Sequence, residues 1–440
     1  MIRLFKLVQM EFIMRPIYFI HLGIIFISGL LATFLPEIPQ AKVGGPINTG
    51  DTAWLLTAAA LVLLMTPGLS FFYGGMVRKK NVISTMLQSM VAMGVISVTW
   101  VAVGFSLCFG DSIGGIVGNP MTFFMLRGVG MMTHPDFSPT IPFALFSLFQ
   151  LKFAIITPAL ISGAFSERVK FSSYLVFMVL FSIFIYAPLA HMTWHPDGLL
   201  RNWGVLDFAG GTVVHISAGM AALAGSIYLG PRKELSHEAA HIPYVILGTG
   251  LLWFGWFGFN AGSALAANET ASLALVNTNT ASAVAMLTWM FMESLRGKKV
   301  SALGACIGAV VGLVGITPAA GFVTIGASVL IGFICAVASN LALSLKNRTE
   351  IDDTLDVFPC HGLGGIVGMI LTGVFAKDVG LIYGETKTFY YHMIALILVM
   401  SYCFIGSWIL YGLSSFARPM RVTQQEENLG LDLSQHGETI

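Results

Sequence analysis

Eleven runs of roughly twenty apolar residues follow one another after position 50, at 53–76, 85–109, 142–165, 172–192, 206–230, 242–263, 272–295, 300–317, 322–345, 355–376 and 389–416. About twenty apolar residues cross a hydrocarbon core. Within that core the backbone must satisfy its own hydrogen bonds, so each run is expected as a helix. Only 10% of the 440 residues are charged, against about 25% in a soluble domain. The chain is therefore expected to be an all-α membrane protein. A net charge of +1 gives no reason to expect nucleic acid. The five cysteines, at 108, 306, 335, 360 and 403, form no C-x-x-C pair, so neither a disulfide framework nor a zinc site is expected.

Charge sets the orientation. Alternate loops carry Arg78, Lys79, Lys80, Arg168, Lys170, Arg232, Lys233, Arg296, Lys298, Lys299, Lys346 and Arg348, and the tail adds Arg418 and Arg421. The intervening loops hold only Arg127, Arg201, Lys377 and Lys387. Positive residues stay on the cytoplasmic side, which predicts eleven spans with the N-terminus outside and the C-terminus inside. Residues 1–49 are expected to be a signal peptide or N-terminal extension, because Arg3, Lys6 and Arg15 precede an apolar run at 16–35. A cleaved leader and a retained extra span give the same orientation. Residues 50–417 form the spanning domain, and 418–440 a cytoplasmic tail.

Two stretches break the apolar pattern in the same way. LDFAGGTVVHISAG places Asp207 eight residues before His215, and DTLDVFPCHGLGG places Asp353 eight residues before His361. At 1.5 Å per residue each histidine lies about 12 Å below its aspartate. The fifth span enters from outside and the tenth from inside, so the two rings approach the midplane from opposite sides. The echo suggests inverted five-helix repeats, spans 1–5 and 6–10, with span 11 extra. An intramembrane histidine can serve as hydrogen-bonding glue between helices, but two at matched depth favour a conduction role. The aspartates sit where helix N-termini favour a carboxylate, so capping competes with substrate contact for both. Gly210, Gly211 and Gly219, with Gly362, Gly364, Gly365 and Gly368, would let these helices approach closely.

Three further stretches, FQLKFAIITPALISGAFSER, APLAHMTWHPDG and WFGFNAGSALAANE, bring Phe149, Phe153, Trp194, Phe259 and Ser263 toward the outer face. Aromatic faces attract cations, although a membrane-interface aromatic belt would explain Trp194 alone. Lys152 lies within this region and is expected to snorkel toward the outer interface.

The motifs LDFAGGTVVHISAG, WFGFNAGS, FYGGMVRKKNV, GACIGAVVGLVGITPAAG and DDTLDVFPCHGLGGIVG, with GLDLSQHGE in the tail, resemble the ammonium transporter family, the Amt/Mep/Rh group. The resemblance covers roughly residues 50–438. It implies a homotrimer with one pore per subunit and no cofactor. It implies an outer ammonium site at Trp194, Phe153 and Ser263, supported by Asp207, and a gate of Phe153 stacked on Phe259. Hydrogen-bonded twin histidines would be His215 and His361, and Trp256, Thr317 and Phe149 would lie near the conduction path. Trp194 and Ser263 match the Amt branch rather than the Rhesus-like one. The tail would pack on the cytoplasmic face and couple to a P-II type regulatory protein, in a multi-pass protein of the cell (inner) membrane.

The expected activity is docking of ammonium, loss of a proton, and passage of neutral ammonia along the histidines, with the proton relayed separately. An ammonium sensor with little flux, signalling through a cytoplasmic partner, is the alternative; no kinase-like segment follows the spans, which weighs against it. An intramembrane enzyme is not expected. His191 and His195 have helical i,i+4 spacing but lie beside Pro196 at a span's end, without a nucleophile or metal-ligand cluster.

Overall fold

The structure is a computed structural model describing residues 22–440 apart from 24, 32, 236 and 237. The basic residues of the expected leader, Arg3, Lys6 and Arg15, lie outside the described residues. The chain is mostly helical. Among the described residues from Thr49 on, eleven helices of fifteen residues or more follow in order: α1 (Thr49–Met76), α2 (Lys79–Phe109), α3 (Phe143–Phe165), α4 (Phe171–Asn202), α5 (Gly211–Leu229), α6 (Ile242–Gly262), α7 (Glu269–Leu295), α8 (Ala302–Ile316), α9 (Ile325–Lys346), α10 (Phe358–Phe375) and α11 (Lys387–Phe416). Among the described residues nine of these are long and apolar enough to cross a membrane, which makes this a multi-pass membrane protein. The other two are α7 and α8. Helix α7 is long but interrupted by buried Asn277, Thr278 and Ser282. Helix α8, expected over 300–317, has only 15 residues, about 22 Å of rise, because the chain turns at Thr317.

Helix starts are set by local chemistry. Asn48, Asn268, Ser301 and Thr324 each accept a backbone N–H in the first turn of α1, α7, α8 and α9; such caps satisfy donors that the helix leaves orphaned. Glycine sets how near helices approach. Helices α1 and α6 cross where a Cβ on Gly248 would lie 2.3 Å from the Phe72 nitrogen, and one on Gly258 would lie 2.7 Å from the Ala58 oxygen. Neither position admits a side chain.

The chain from Arg418 onward is not a freely solvated end. Lys170 N–H donates to the Met420 carbonyl at 2.7 Å and Val422 N–H to the Arg168 carbonyl at 3.0 Å. Ser84 N–H donates to the Asp432 carboxylate at 2.8 Å, and Leu431 N–H to the Asn81 side chain at 2.8 Å. The tail thus clasps the start of α2 and the turn after α3. Beneath it Glu167, fully buried, accepts from Arg78 at 2.7 Å and Arg232 at 3.0 Å. Arg232 also pairs with Asp352 at 2.8 Å. These ion pairs tie α1, α3, α5 and the approach to α10 together at the basic end of the bundle.

Candidate functional site

The two aspartate–histidine stretches fold alike. The Asp207 carboxylate accepts from the N–H groups of Gly210, Gly211 and Thr212, at 2.8, 2.6 and 2.7 Å, and from the Thr212 hydroxyl. The Asp353 carboxylate accepts from Val357 at 3.1 Å and Phe358 at 2.7 Å. Each aspartate therefore closes a loop onto a helix start. Each helix then opens with a π-helical turn holding its histidine, Gly211–Ile216 and Phe358–Gly362, a geometry common at functional sites.

One detail differs from the depth expected at eight residues. Gly210 adopts φ of 112°, a left-handed conformation that glycine tolerates, and α5 begins only after it. His215 therefore sits one turn, about 6 Å, into its helix rather than two. The Asp353 loop delays α10 by a similar length, with Asp356 at φ of 58°. Equal delays on both sides keep the rings level with each other.

The helices run antiparallel in contact. A Cβ on Gly219 would lie 2.2 Å from Gly362, and one on Gly365 would lie 3.1 Å from the Gly211 oxygen. This backbone contact brings His215 and His361 together: Nδ1 to Nδ1 is 3.3 Å, with ring centroids 5.4 Å apart and planes inclined by 27°. Two Nδ1 atoms can bond only if one carries hydrogen and the other accepts. When His361 Nδ1 donates, the His215 proton sits on Nε2. That atom is buried and has no hydrogen-bond partner, which marks it as facing something other than protein.

The lumen around it is narrow and mostly apolar. A cavity of about 10 Å³ is lined by both histidines, Trp256, Phe259 and apolar residues such as Leu69 and Val214, the size needed for a single small molecule. Trp256 stacks on His215 at 5.3 Å and donates its indole N–H to Thr317 at 2.9 Å. Above, Phe259 lies 6.0 Å from His215, and Phe153 lies against Phe259 at 4.2 Å with the ring planes tilted by 33°. Phe153 and Phe259 are essentially unexposed.

Beyond them opens a vestibule of about 610 Å³ whose walls include Phe153, Trp194, Asp207 and Ser263. Trp194 stands edge-on to Phe153 at 5.9 Å and donates its indole N–H to the Asp207 carbonyl at 3.2 Å. The Ser263 hydroxyl donates to the Phe259 carbonyl at 2.8 Å, leaving its oxygen as an acceptor toward the vestibule. Asp207 reaches the wall mainly through what it holds in place, since its carboxylate is taken up by the loop.

Phe149 and Thr317 line neither cavity. Phe149 backs Phe153 edge-on at 5.0 Å, and Thr317 orients Trp256. Lys152 is also absent from the vestibule wall; its residue is 9% exposed. The sequence reading missed His392, whose ring accepts from Leu206 N–H at 2.9 Å and meets the Met369 carbonyl at 2.8 Å. It anchors the segment leading into Asp207. A histidine in an apolar run was the available signal.

The family model for the Ammonium Transporter Family matches residues 53–440. The chain belongs to the ammonium transporter family. It is 46% identical over 399 residues to the ammonium transporter of Aquifex aeolicus, covering 89% of this chain and 93% of that one. It is 45% identical over 401 residues to the ammonium transporter of Bacillus subtilis, covering 89% and 98%. The crystal structure of Candida albicans Mep2 superposes with a TM-score of 0.82 at 37% identity, covering 89% and 90%. A solved sensor Amt protein matches with a TM-score of 0.80 at 29% identity, covering 88% and 98%. Ammonium transporter family membership makes the chain a channel or transporter rather than an enzyme.

Proposed function

We propose that this protein transports ammonium by docking the cation in the vestibule and conducting neutral ammonia past the twin histidines. The observation that carries the reading is the His215–His361 contact of 3.3 Å inside a lumen of about 10 Å³. Such a space repels a bare ion, since moving a charge into an apolar medium costs tens of kcal/mol before any compensation. Ammonium escapes the penalty by leaving its proton behind; potassium has none to leave.

Trp194 and Phe153 offer ring faces to the cation and Ser263 an acceptor oxygen. Asp207 positions Trp194 through its carbonyl. Ammonia, formed as ammonium gives up its proton, then passes the Phe153–Phe259 pair and meets His215 Nε2. With His215 Nδ1 as the donor, His215 Nε2 takes up the proton left by ammonium, the Nδ1 proton passes to His361 Nδ1, and His361 releases its own proton from Nε2, so one charge crosses the pair and transport is electrogenic. Phe149 backs the gate, and Trp256 with Thr317 holds the lumen wall.

The same reading places eleven spans as two inverted five-helix repeats plus α11, with the vestibule outside and the tail in the cytoplasm. The matched Asp-capped π-helical turns of α5 and α10 support the inverted relation. Residues 50–417 form the transport domain of a homotrimer in the cell (inner) membrane. The tail, clasped to the basic face, offers a P-II type regulatory protein a surface coupled to α2 and α3.

The second reading is a sensor, favoured by the likeness to the sensor Amt protein. Purified protein in proteoliposomes separates the two. A transporter gives a saturable ammonium-evoked current or internal alkalinisation; specific ammonium binding without either would establish the sensor.

A further inference from the structure

Residues 36–48, ahead of α1, form a strap over the vestibule rim. Arg127 Nε donates to the Pro36 carbonyl at 2.8 Å, and Gln40 donates to the Thr133 carbonyl at 2.7 Å. Gly44 N–H donates to the Thr133 carbonyl at 3.0 Å, and Asn48 N–H to the Thr140 carbonyl at 2.8 Å. These bonds fix Lys42, whose amine lies 2.8 Å from the Asp136 carboxylate.

Asp136 lines the same vestibule as Trp194, Phe153 and Ser263. The vestibule's charges are few. The Asp207 carboxylate is spent on three backbone N–H groups and a hydroxyl. Arg201 lines the wall and donates to the Trp194 carbonyl at 3.2 Å, which puts a positive charge beside the cation site. His134 and His195 back the Asp136 loop through Phe137, at 4.9 and 5.4 Å between ring centroids. Asp136 is thus the one carboxylate lining the vestibule that is not engaged as a helix cap. Lys42 holds it below the usual carboxylate range by hydrogen bonding and charge, so it is ionised wherever the transporter works.

We infer that Asp136 recruits ammonium into the vestibule and that Lys42 of the strap mutes that recruitment, setting the concentration at which the transporter half-saturates. The inference rests on the transport reading above. A fixed negative charge at the mouth of a low-dielectric funnel raises the local concentration of cations, and the effect is screened by salt. The two side chains are 65% and 41% exposed. They therefore act as solvent-facing charges on cation concentration, with no part in the fold of the pore. The strap becomes an affinity control built outside the conduction path.

The experiment measures ammonium-evoked currents in proteoliposomes from the full chain, with Lys42→Met, Asp136→Asn and the double variant beside the unmodified protein. Each is titrated at low ionic strength and at high ionic strength set with a sodium salt. Lys42→Met should lower the half-saturating concentration and Asp136→Asn raise it, each by roughly two- to fivefold, the range of a single partly exposed charge. Maximal current should be unchanged. Lys42→Met should shift nothing further in the Asp136→Asn background, and high salt should shrink both single shifts. Equal half-saturation in all four proteins would overturn the inference while leaving the transport reading intact. So would a Lys42→Met shift of equal size without Asp136. Absence of current in the unmodified protein would overturn the transport reading, and this inference with it.

Discussion

Replacing Gly219 by alanine should uncouple the histidine pair without touching either ring. The added Cβ would stand 2.2 Å from the Gly362 Cα and nitrogen. Carbon atoms in ordinary contact sit about 3.5–4.0 Å apart, so α5 and α10 must separate locally by about 1.5 Å. Neither neighbour can yield by a side-chain rotation, because both atoms are backbone. The His215–His361 contact, 3.3 Å at present, would then open to roughly 4.5–5 Å, past any hydrogen bond. Overpacking of this kind costs about 1–3 kcal/mol of stability. An ångström of misplacement at a reacting site costs up to about a hundredfold in rate, so a fall of tenfold or more in ammonium-evoked current is expected. Gly332→Ala supplies the control. Its Cβ would stand 2.4 Å from the Ala281 oxygen in the α7–α9 contact, away from the histidines. Both variants should lose thermal stability in detergent, and only Gly219→Ala should lose current. Full current in Gly219→Ala, or equal losses in the two, would refute the argument that this glycine contact sets the imidazole geometry.

Four further outcomes follow from the structure. Trp194→Leu removes a ring face worth about 0.5–2 kcal/mol to a cation, so half-saturation should rise roughly two- to thirtyfold while thermal stability barely moves. Trp256→Phe keeps the stack on His215 but removes the N–H that Thr317 accepts, while the Thr317 hydroxyl still donates to the Leu313 carbonyl at 2.7 Å; a loss of about 1 kcal/mol is expected, read as a lower thermal midpoint with current largely retained. At the basic end, burial opposes ionisation of Glu167 and Asp352, but hydrogen bonds and charge from the neighbouring arginines outweigh it and hold both carboxyls below their ordinary range. Depressed carboxyls contribute stability that is complete above about pH 5 and lost as pH falls through their folded-state values. The thermal midpoint should be level from neutral pH to about pH 5 and decline below about pH 4. Glu167→Gln should lower the neutral midpoint by the equivalent of about 3 kcal/mol and flatten the acid decline.

Nine of the expected spans could be read directly, because a bilayer demands some twenty apolar residues of each. The histidine contact could be read because eight-residue spacings from opposite faces are arithmetic. The local start of each helix could not. Asp207 to Gly210 looks helical in composition, and only the carboxylate's capture of three N–H groups shows that the chain loops first. The lumen wall was equally hidden: Leu69 and Val214 differ in no sequence property from residues facing lipid, since both environments are apolar. Phe149 and Thr317 were placed near the path by resemblance, yet each acts one layer behind it. Lys42 and Asp136 lie 94 positions apart in segments with no apolar period, so nothing in the pattern announced their pairing.

The central claim is that ammonia and its proton pass a shared pair of imidazoles in a passage closed to ions. It is tested most directly by ammonium-evoked current from proteoliposomes bearing His215→Leu or His361→Leu, with potassium as the control ion. The account predicts that the unmodified protein carries ammonium current and no potassium current, and that each variant loses most of the ammonium current. Undiminished current in both variants, or a potassium current in the unmodified protein, would contradict it.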